Sequence, residues 1–377
     1  MSRRAAFIYD KEMSQHVLRP DHPMRPVRLQ QTCELLEAYG AFEGEFSQFI
    51  SPRPATEEEI ERFHHGEYVQ AVKEFSAGEG LDRASRFNFS GEGDNPIYQG
   101  MYEAAALSTG GSLVAAELVE SGDVDVAFNI SGGLHHAAAG NPSGFCVFND
   151  PVVAIQYLLT KGLRVVYVDI DAHHGDGVQT AFYDTDQVLT ISLHESGMFL
   201  FPGTGGVEEM GVGPGKGYSI NLPLYPGTDD QMYLRAFREV VPLLVKAFKP
   251  DILATQLGID TYHTDPLTHL MLSSSGFEQA VADFAGMGIP WLAFGGGGYD
   301  LGAVARCWTL AYGVMAEREL RDDLPGSYVG KYGGRHLRDA PGSVASIPEH
   351  IRLQAESFAD NSVRMLKELV FPIHGIK

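Results

Sequence analysis

The chain has 377 residues, of which 44% are hydrophobic and 20% are charged, enough for a globular protein with a full hydrophobic core. No apolar run approaches the roughly 18 residues of a membrane-spanning helix, so a membrane protein is not expected. The 28 basic and 49 acidic residues give a net charge of −21, which opposes direct binding to nucleic acid and would attract cationic substrates such as basic peptides or polyamines.

The N-terminus begins with charged residues, but its apolar part, residues 5–9, is too short for a signal peptide. We therefore interpret it as the first strand of a cytoplasmic protein. Cys33, Cys146 and Cys307 lie far apart and are odd in number, so neither a disulfide framework nor a cysteine-based zinc site is expected.

Short apolar runs rich in β-branched residues alternate with segments of helical periodicity. Strands are predicted at residues 5–9, 124–130, 163–170, 188–193, 218–222, 252–257 and 291–294. Helices are predicted near residues 28–39, 97–120, 150–159, 230–248, 275–287 and 348–369. This alternation is typical of an α/β fold with a central, mostly parallel sheet and helices on both faces. With no repeat and no linker, residues 1–377 are predicted to form a single domain in which 321–346 is an irregular surface segment.

Polar or glycine-rich segments follow four of the predicted strands. They are "SGGLHHAAAGNPSGFCVFND", "DIDAHHGDGVQ", "QLGIDTYHTDPL" and "GGGGYD". In parallel sheets, ligands bind where such loops converge at the carboxyl ends of the strands. The sequence therefore predicts a functional site at this edge of the sheet.

Asp171 and His173 are two residues apart, so on an extended chain both side chains lie on one face. With Asp260 from another strand end they would form an oxygen and nitrogen ligand set suited to Zn²⁺ or Fe²⁺, with a position left for water. A hydrogen-bonded knot that merely holds the loop explains the same spacing about equally well.

The adjacent histidines His135 and His136 follow a Gly-Gly turn and add a possible acid and base. Asp169 and Asp176 are the spare carboxylates that could orient them. Tyr299 follows four glycines, and its hydroxyl could polarise a carbonyl group, although a buried tyrosine on a tight turn is the simpler interpretation. No G-x-S-x-G elbow is present, and "GVGPGKG" lacks the P-loop spacing.

Taken together, these segments resemble the zinc-dependent histone deacetylase family, which includes bacterial acetoin-utilisation-type deacetylases and acetylpolyamine amidohydrolases. The resemblance covers about residues 21–314 and is closest to the class I pattern. The motifs that carry it occur in family order: "HPMRPVR", "RFNFSGEGDNP", "LSTGGS", "GGLHHA", "SGFCVFND", "VDIDAHHGDGVQ", "FPGTG" and "GGGGY". It implies an arginase/deacetylase fold and the hydrolysis of an N-acetyl amide to acetate and an amine.

The resemblance also assigns roles to residues. It implies one Zn²⁺ held by Asp171, His173 and Asp260, with His136 as general base and acid and Tyr299 as the donor to the oxyanion. His135 would be an electrostatic partner, and the carboxylates paired with the two histidines would be Asp169 for His135 and Asp176 for His136. We expect His174 only to support these residues, without contacting the metal or the substrate itself.

For the substrate, the resemblance implies an apolar tunnel for the acyl-lysine stem. The expected contacts are Phe145 and Phe201 as walls, Gly133 as acceptor, Asp94 and Leu267 at the rim, and Arg28 at the foot channel. Structural K⁺ or Na⁺ is implied at two sites: one with Asp169, Asp171, His173, Ser192 and Leu193, and one with Phe182, Thr185, Val188 and Tyr218.

One departure from the family pattern concerns the tunnel. Leu200 stands where an aromatic residue often precedes Phe201, which leaves the acyl-chain preference open. The expected substrate is an acylated lysine in a peptide or protein, and the alternative is a small acetylated amine such as an acetylpolyamine. An arginase-like enzyme with two Mn²⁺ ions and a non-catalytic acetyl-lysine binding module are the remaining alternatives. The oligomeric state is not predicted.

Overall fold

The computed structural model describes residues 3–91, 93–340 and 342–377. These residues form one eight-stranded sheet in the order β2-β1-β3-β8-β7-β4-β5-β6, with every neighbouring pair parallel. The strands are β1 (Ala5–Ile8), β2 (Ser47–Ile50), β3 (Val126–Asn129), β4 (Val165–Asp169), β5 (Val188–Glu195), β6 (Ser219–Leu224), β7 (Ile252–Gln256) and β8 (Trp291–Phe294).

Helices connect the strands and cover both faces of the sheet. They are α1 (Val27–Ala38), α2 (Glu57–Ile60), α3 (Gly66–Ser76), α4 (Met101–Glu120), α5 (Asp150–Thr160), α6 (Asp176–Ala181), α7 (Asp230–Phe248), α8 (Ser274–Ala285), α9 (Leu301–Met315), α10 (Gly326–Tyr332) and α11 (Glu349–Leu369). Within the described residues, no helix is both long and apolar enough to cross a membrane.

The predicted α/β fold is confirmed, with differences in detail. Each predicted strand is present, but the edge strand β2 was not predicted because its sequence, "SQFI", is short and only partly apolar. The helix predicted from residue 97 begins at Met101, after Gly100 in a left-handed conformation. The segment 321–346 is less irregular than predicted, since it contains α10; its residue Pro341 lies outside the described residues.

Successive residues of the strands point into two separate cores. In β1, Phe7 packs into the core beneath α7, α8 and α9, whereas Ile8 packs into the core beneath α4 and α5. Since both faces of a parallel sheet are buried, its strands are apolar on both sides. Some polar residues, such as Thr190 in β5, are buried within strands, but the acidic residues Asp169 and Glu195 lie at strand ends, where the loops begin.

Phe128 of β3 is fully buried between the rings of Phe7 and Trp308, at centroid distances of 5.9 and 6.3 Å. We expect Phe128→Ala to lower the free energy of unfolding by about 3–5 kcal/mol, because it removes buried surface and leaves a cavity. Urea unfolding followed by circular dichroism measures the change. Leu81→Ala, at a position 50% exposed, is the control and should change it by less than about 1 kcal/mol. Equal losses in the two variants would contradict this account of the core.

Candidate active site

Four adjacent strands in the middle of the sheet, β3, β8, β7 and β4, direct their carboxyl ends to one place. The loop after β3 carries His135 and His136, and the loop after β4 carries Asp171 and His173. Asp260 follows β7 and Tyr299 follows β8. Parallel topology therefore brings together side chains that are up to 164 residues apart in sequence (from 135 to 299).

Asp171, His173 and Asp260 form a compact, buried cluster. One ligand atom from each lies within 4.8 Å of the others. His173 Nδ1 lies 2.8 Å from Asp260 Oδ2 and 3.2 Å from Asp171 Oδ1. Two carboxylates and one imidazole nitrogen, converging on one point, are a donor set that fits a divalent cation such as Zn²⁺.

Hydrogen-bond donors around this cluster point at its two carboxylates. Asp171 Oδ2 accepts hydrogen bonds from Gln256 Nε2 at 2.7 Å and from the Gly297 N–H at 2.8 Å. Asp260 Oδ1 accepts from the Ala172 N–H at 2.7 Å. A Cβ on Gly297 would collide with both carboxylates, so the glycine makes room for them.

The charges of the cluster do not balance among these side chains. Burial, and then the neighbouring charge of Asp171, raise the pKa of Asp260 to about 8. Burial alone would also raise the pKa of Asp171, but the imidazoles of His135 and His173 outweigh it and hold that pKa well below its ordinary value. Two adjacent buried carboxylates stay ionised together only beside a cation, so the electrostatics also fit a metal ion.

His135 and His136 each form a hydrogen-bonded pair with a carboxylate. His135 Nδ1 donates to Asp169 Oδ2 and His136 Nδ1 donates to Asp176 Oδ1, each at 2.7 Å. The two Nε2 atoms are 3.0 Å apart and point into the site. Each histidine is thus held by the carboxylate that the sequence suggested for it.

The two imidazoles differ in their affinity for a proton. Burial lowers the pKa of both, but the carboxylates of Asp169 and Asp171 outweigh it at His135 and raise that pKa to about 9. At His136, burial and the charge of His135 lower the pKa to about 4. The pair therefore combines a protonated ring with a neutral ring that can accept a proton.

Tyr299, which follows β8, is held by a carboxylate that the sequence analysis did not single out. Its backbone N–H donates to Asp265 Oδ2 at 2.8 Å. Asp265 Oδ1 accepts from the Leu267 N–H at 3.0 Å, so one side chain fixes both residues. Burial raises the pKa of Tyr299 well above its ordinary value, which keeps its hydroxyl protonated and able to donate.

Two phenylalanines flank the approach to the cluster. The Phe201 ring lies 5.1 Å from the His136 ring and 6.4 Å from the His173 ring, centroid to centroid. The Phe145 ring lies 5.8 Å from the Tyr299 ring. Both rings therefore lie next to candidate catalytic residues, and their role as tunnel walls stays a prediction. Leu200 is half-buried and packs against the core, so Phe201 lies beside the site without an aromatic neighbour at position 200.

Gly133 and Arg28 lie beneath the site. The Gly133 carbonyl accepts from Gln256 Nε2 at 3.2 Å. Arg28 is buried and donates to the carbonyls of Gly298 at 2.9 Å and Gly296 at 2.7 Å. Arg28 thus holds the glycine-rich segment that leads to Tyr299, and it lines a cavity next to the site together with Leu134 and Phe145.

The remaining predicted residues occupy the rim and the strand ends. Leu267 is half-buried, and Asp94 is exposed, with its carbonyl accepting from His22 Nε2 at 3.3 Å. Ser192 is paired with Asp169 across β4 and β5, and Leu193 follows it. At the opposite end of β5, the Thr185 N–H donates to the Phe182 carbonyl at 3.4 Å; Val188 begins that strand, and Tyr218 precedes β6. The two predicted cation-binding groups thus lie near opposite ends of β5, and their role stays a prediction.

His174 connects two loops. Its Nδ1 is hydrogen-bonded to Thr204 Oγ1 at 2.8 Å, and its Nε2 lies 3.2 Å from Gln179 Oε1. Glu209 extends the connection, because its Oε1 accepts from the Gly205 N–H at 2.9 Å and its Oε2 accepts from Gln179 Nε2 at 2.7 Å. The loop that carries Phe201 is thereby fastened to the loop that carries His173.

Comparison with known proteins supports the same interpretation. The histone deacetylase domain matches residues 22–315. The acetoin utilization protein AcuC of Bacillus subtilis is 40% identical over 337 residues, which cover 88% of this chain and 87% of that protein. Histone deacetylase 1 of Homo sapiens is 38% identical over 326 residues, covering 86% of this chain and 67% of that protein.

A solved structure shares the fold as well as the sequence. The crystal structure of a histone deacetylase homologue from Aquifex aeolicus matches with a TM-score of 0.85 at 31% identity, covering 96% of this chain and all of that one. A histone deacetylase homologue complexed with SAHA matches with a TM-score of 0.84. The domain match, the relatives and the shared fold lead to one conclusion: this chain belongs to the histone deacetylase family, whose members are deacetylase hydrolases.

Proposed function

We propose that the protein is a zinc-dependent amidohydrolase that removes acetyl or related acyl groups from the ε-amino group of lysine in peptides or proteins. The observation that carries this proposal is the placement of two imidazole–carboxylate pairs directly beside the Asp171, His173 and Asp260 cluster. A binding module needs no such pairs. We propose further that residues 1–377 act as a single catalytic domain.

Asp171, His173 and Asp260 would hold the zinc ion. When bound, zinc would polarise the acyl carbonyl and lower the pKa of its water to about 7. K⁺ or Na⁺ bound near Asp169 and Ser192 would further offset the carboxylates of this loop.

His136 has the position and the proton affinity of a general base. Its pKa of about 4 keeps the ring neutral, so Nε2 can accept the proton of the attacking water and later give it to the leaving amine. Asp176 fixes the tautomer by accepting from Nδ1. His135, whose pKa of about 9 keeps it protonated, contributes positive charge next to the reacting centre.

Tyr299 would donate its hydroxyl to the oxyanion that forms on the acyl carbonyl. Phe145 and Phe201 would enclose the apolar stem of the substrate, and the Gly133 carbonyl would accept from the stem amide. Asp94 and Leu267 would contact the substrate at the rim. The relatives named as histone deacetylases and the homologue complexed with SAHA support this choice of substrate class.

A substrate panel tests the proposal and its alternative. We expect purified, zinc-loaded protein to release acetate from acetyl-lysine peptides, with longer acyl-lysine peptides compared alongside. A kcat/KM for acetylspermidine well above that for every peptide would instead favour a small-molecule amidohydrolase, which the net charge of −21 would also suit. Inertness toward all acyl-lysine substrates would refute the proposed function, and two bound metal ions would favour an arginase-like enzyme.

Tyr299→Phe removes one hydroxyl and leaves the ring. We expect kcat to fall by about 100- to 1000-fold, because a donor to the developing oxyanion is lost. Steady-state kinetics with an acetyl-lysine peptide measures the change, and zinc content should be unchanged. Tyr102→Phe, on α4, is the matched control and should keep nearly full activity. Full activity in Tyr299→Phe would remove this residue from the mechanism.

Removal of the metal should abolish activity reversibly. We expect protein dialysed against a chelator to be inactive and to regain activity with one equivalent of Zn²⁺, measured by acetate release and metal analysis. Asp260→Asn should bind zinc at least about tenfold more weakly, because a ligand charge is lost. Asp123→Asn, at an exposed carboxylate, is the control. Unchanged turnover in metal-free protein would contradict the assignment of this cluster.

A further inference from the structure

The turn that carries His135 and His136 is held by the dipeptide Asn149–Asp150. This dipeptide ends the motif "SGFCVFND", but neither the motif nor the proposed chemistry gives it a role. Both residues are fully buried, with 0% exposure. They lie at the beginning of α5, and Asn149 is its N-cap. Polar side chains buried this completely are costly unless each polar atom is paired, so their partners are informative.

The Asn149 amide joins the carbonyls of the two residues on either side of His136. Its Nδ2 donates to the His135 carbonyl at 3.1 Å and to the Ala137 carbonyl at 3.0 Å. Its Oδ1 accepts from the Val152 N–H at 3.2 Å, which caps α5. One rigid amide thus ties the backbone of His136 to the first turn of a helix.

Asn149 is itself held in place by a buried histidine. Its backbone N–H donates to His64 Nε2 at 2.9 Å. His64 is only 2% exposed, and burial lowers its pKa to about 3, which keeps Nε2 an acceptor. His64 thus holds the backbone of Asn149, while the contacts of Nδ2 and Oδ1 hold its side-chain amide.

Asp150 holds the preceding half of the same turn. Its carboxylate accepts from the Gly133 N–H at 3.0 Å and from the Leu134 N–H at 2.8 Å. The dipeptide therefore contacts the turn at two N–H groups before the histidine pair and at two carbonyls around His136. Both side chains are enclosed, and the Asp150 carboxylate also accepts from the Ser112 hydroxyl.

The Asn149 amide also lies against α6, the helix that supplies the carboxylate of Asp176 to His136. Gly177 of α6 packs on this point: a Cβ there would lie 2.6 Å from the His135 carbonyl oxygen and 2.7 Å from Asn149 Nδ2. Asp176, the partner of His136, is the residue before it. The backbone of His136 and the helix that supplies its carboxylate are thus fitted against one amide.

We propose that Asn149 is a positioning residue that sets the backbone of His136, so that its imidazole stays aligned between Asp176 and the reacting centre. This inference rests on the proposed function, in which His136 transfers protons. An error of about 1 Å in such a group can lower the rate by about 100-fold. The amide donors of Asn149 act on the rate through His136, whereas its oxygen acts on the stability of α5.

A matched pair of helix-cap variants separates these two contributions. Asn149→Ser keeps a side-chain oxygen that can cap α5 but lacks the two amide donors. Asp229→Ser is the control, because Asp229 caps α7 in the same way, with its Oδ1 accepting from the Met232 N–H at 3.0 Å. Asn149→Asp is a second variant that keeps the shape and the cap and also loses the donors. Circular dichroism and zinc content verify folding.

We expect Asn149→Ser and Asn149→Asp to lower kcat for an acetyl-lysine peptide by about tenfold or more, with KM within about twofold of wild type. Asp229→Ser should leave kcat within about twofold. In spectra of isotope-labelled histidine, the Nδ1–H signals of His135 and His136 should shift or broaden in the two Asn149 variants and stay in place in Asp229→Ser.

Each outcome decides one of the two claims. Wild-type kinetics and unmoved Nδ1–H signals in the Asn149 variants would overturn the positioning role while the proposed function stands. If the wild-type protein turns over no acyl-lysine substrate, the proposed function fails, and the histidine spectra alone decide the positioning role. If the Asn149 variants fold only partly, the spectra of Asn149→Asp are recorded under the conditions that give the largest folded fraction. Their comparison with the spectra of Asp229→Ser then decides the positioning role.

Discussion

The site depends on one electrostatic constraint, the burial of two neighbouring carboxylates, Asp171 and Asp260, in the interior of the sheet edge. Buried charge is tolerated only where it is paired and hydrogen-bonded. The structure meets this demand with donors from Gln256, Gly297 and Ala172 and with the imidazole of His173. The divalent cation proposed for this cluster would complete the balance, so the requirement for stability and the requirement for chemistry would coincide.

The parallel sheet makes this concentration of charge possible. Most strand positions are apolar on both faces, so the ionisable side chains of the site lie where strands end, and parallel strands end on the same side. The histidine pair, the cluster and Tyr299 come from four neighbouring strands, each contributing one or two groups. The backbones of these groups are fixed by Asn149 at the beginning of α5, Asp265 in the segment after β7 and Arg28 on α1.

The sequence was sufficient for the fold class and for the groups that converge at the site. Apolar runs locate strands because a buried strand must be apolar, and paired carboxylates and imidazoles at strand ends stand out against them. The edge strand β2 was not predicted because its four residues are only partly apolar and partly face solvent. The roles of Gln256, Asp265 and Asn149 were also not predicted from the sequence. A side chain that holds backbone groups leaves no spacing pattern, because its partners are distant in sequence and are identified only in three dimensions.

The hydrogen bond between His174 and Thr204 has a consequence for how such a protein can diverge. It joins the loop that carries Phe201, the proposed wall of the approach, to the loop that holds the cluster. A substitution that reshapes the wall is therefore transmitted to the cluster. Because His174 is buried, a substitution at Thr204 would remove the partner of its Nδ1 and loosen the attachment of the loop that carries Phe201.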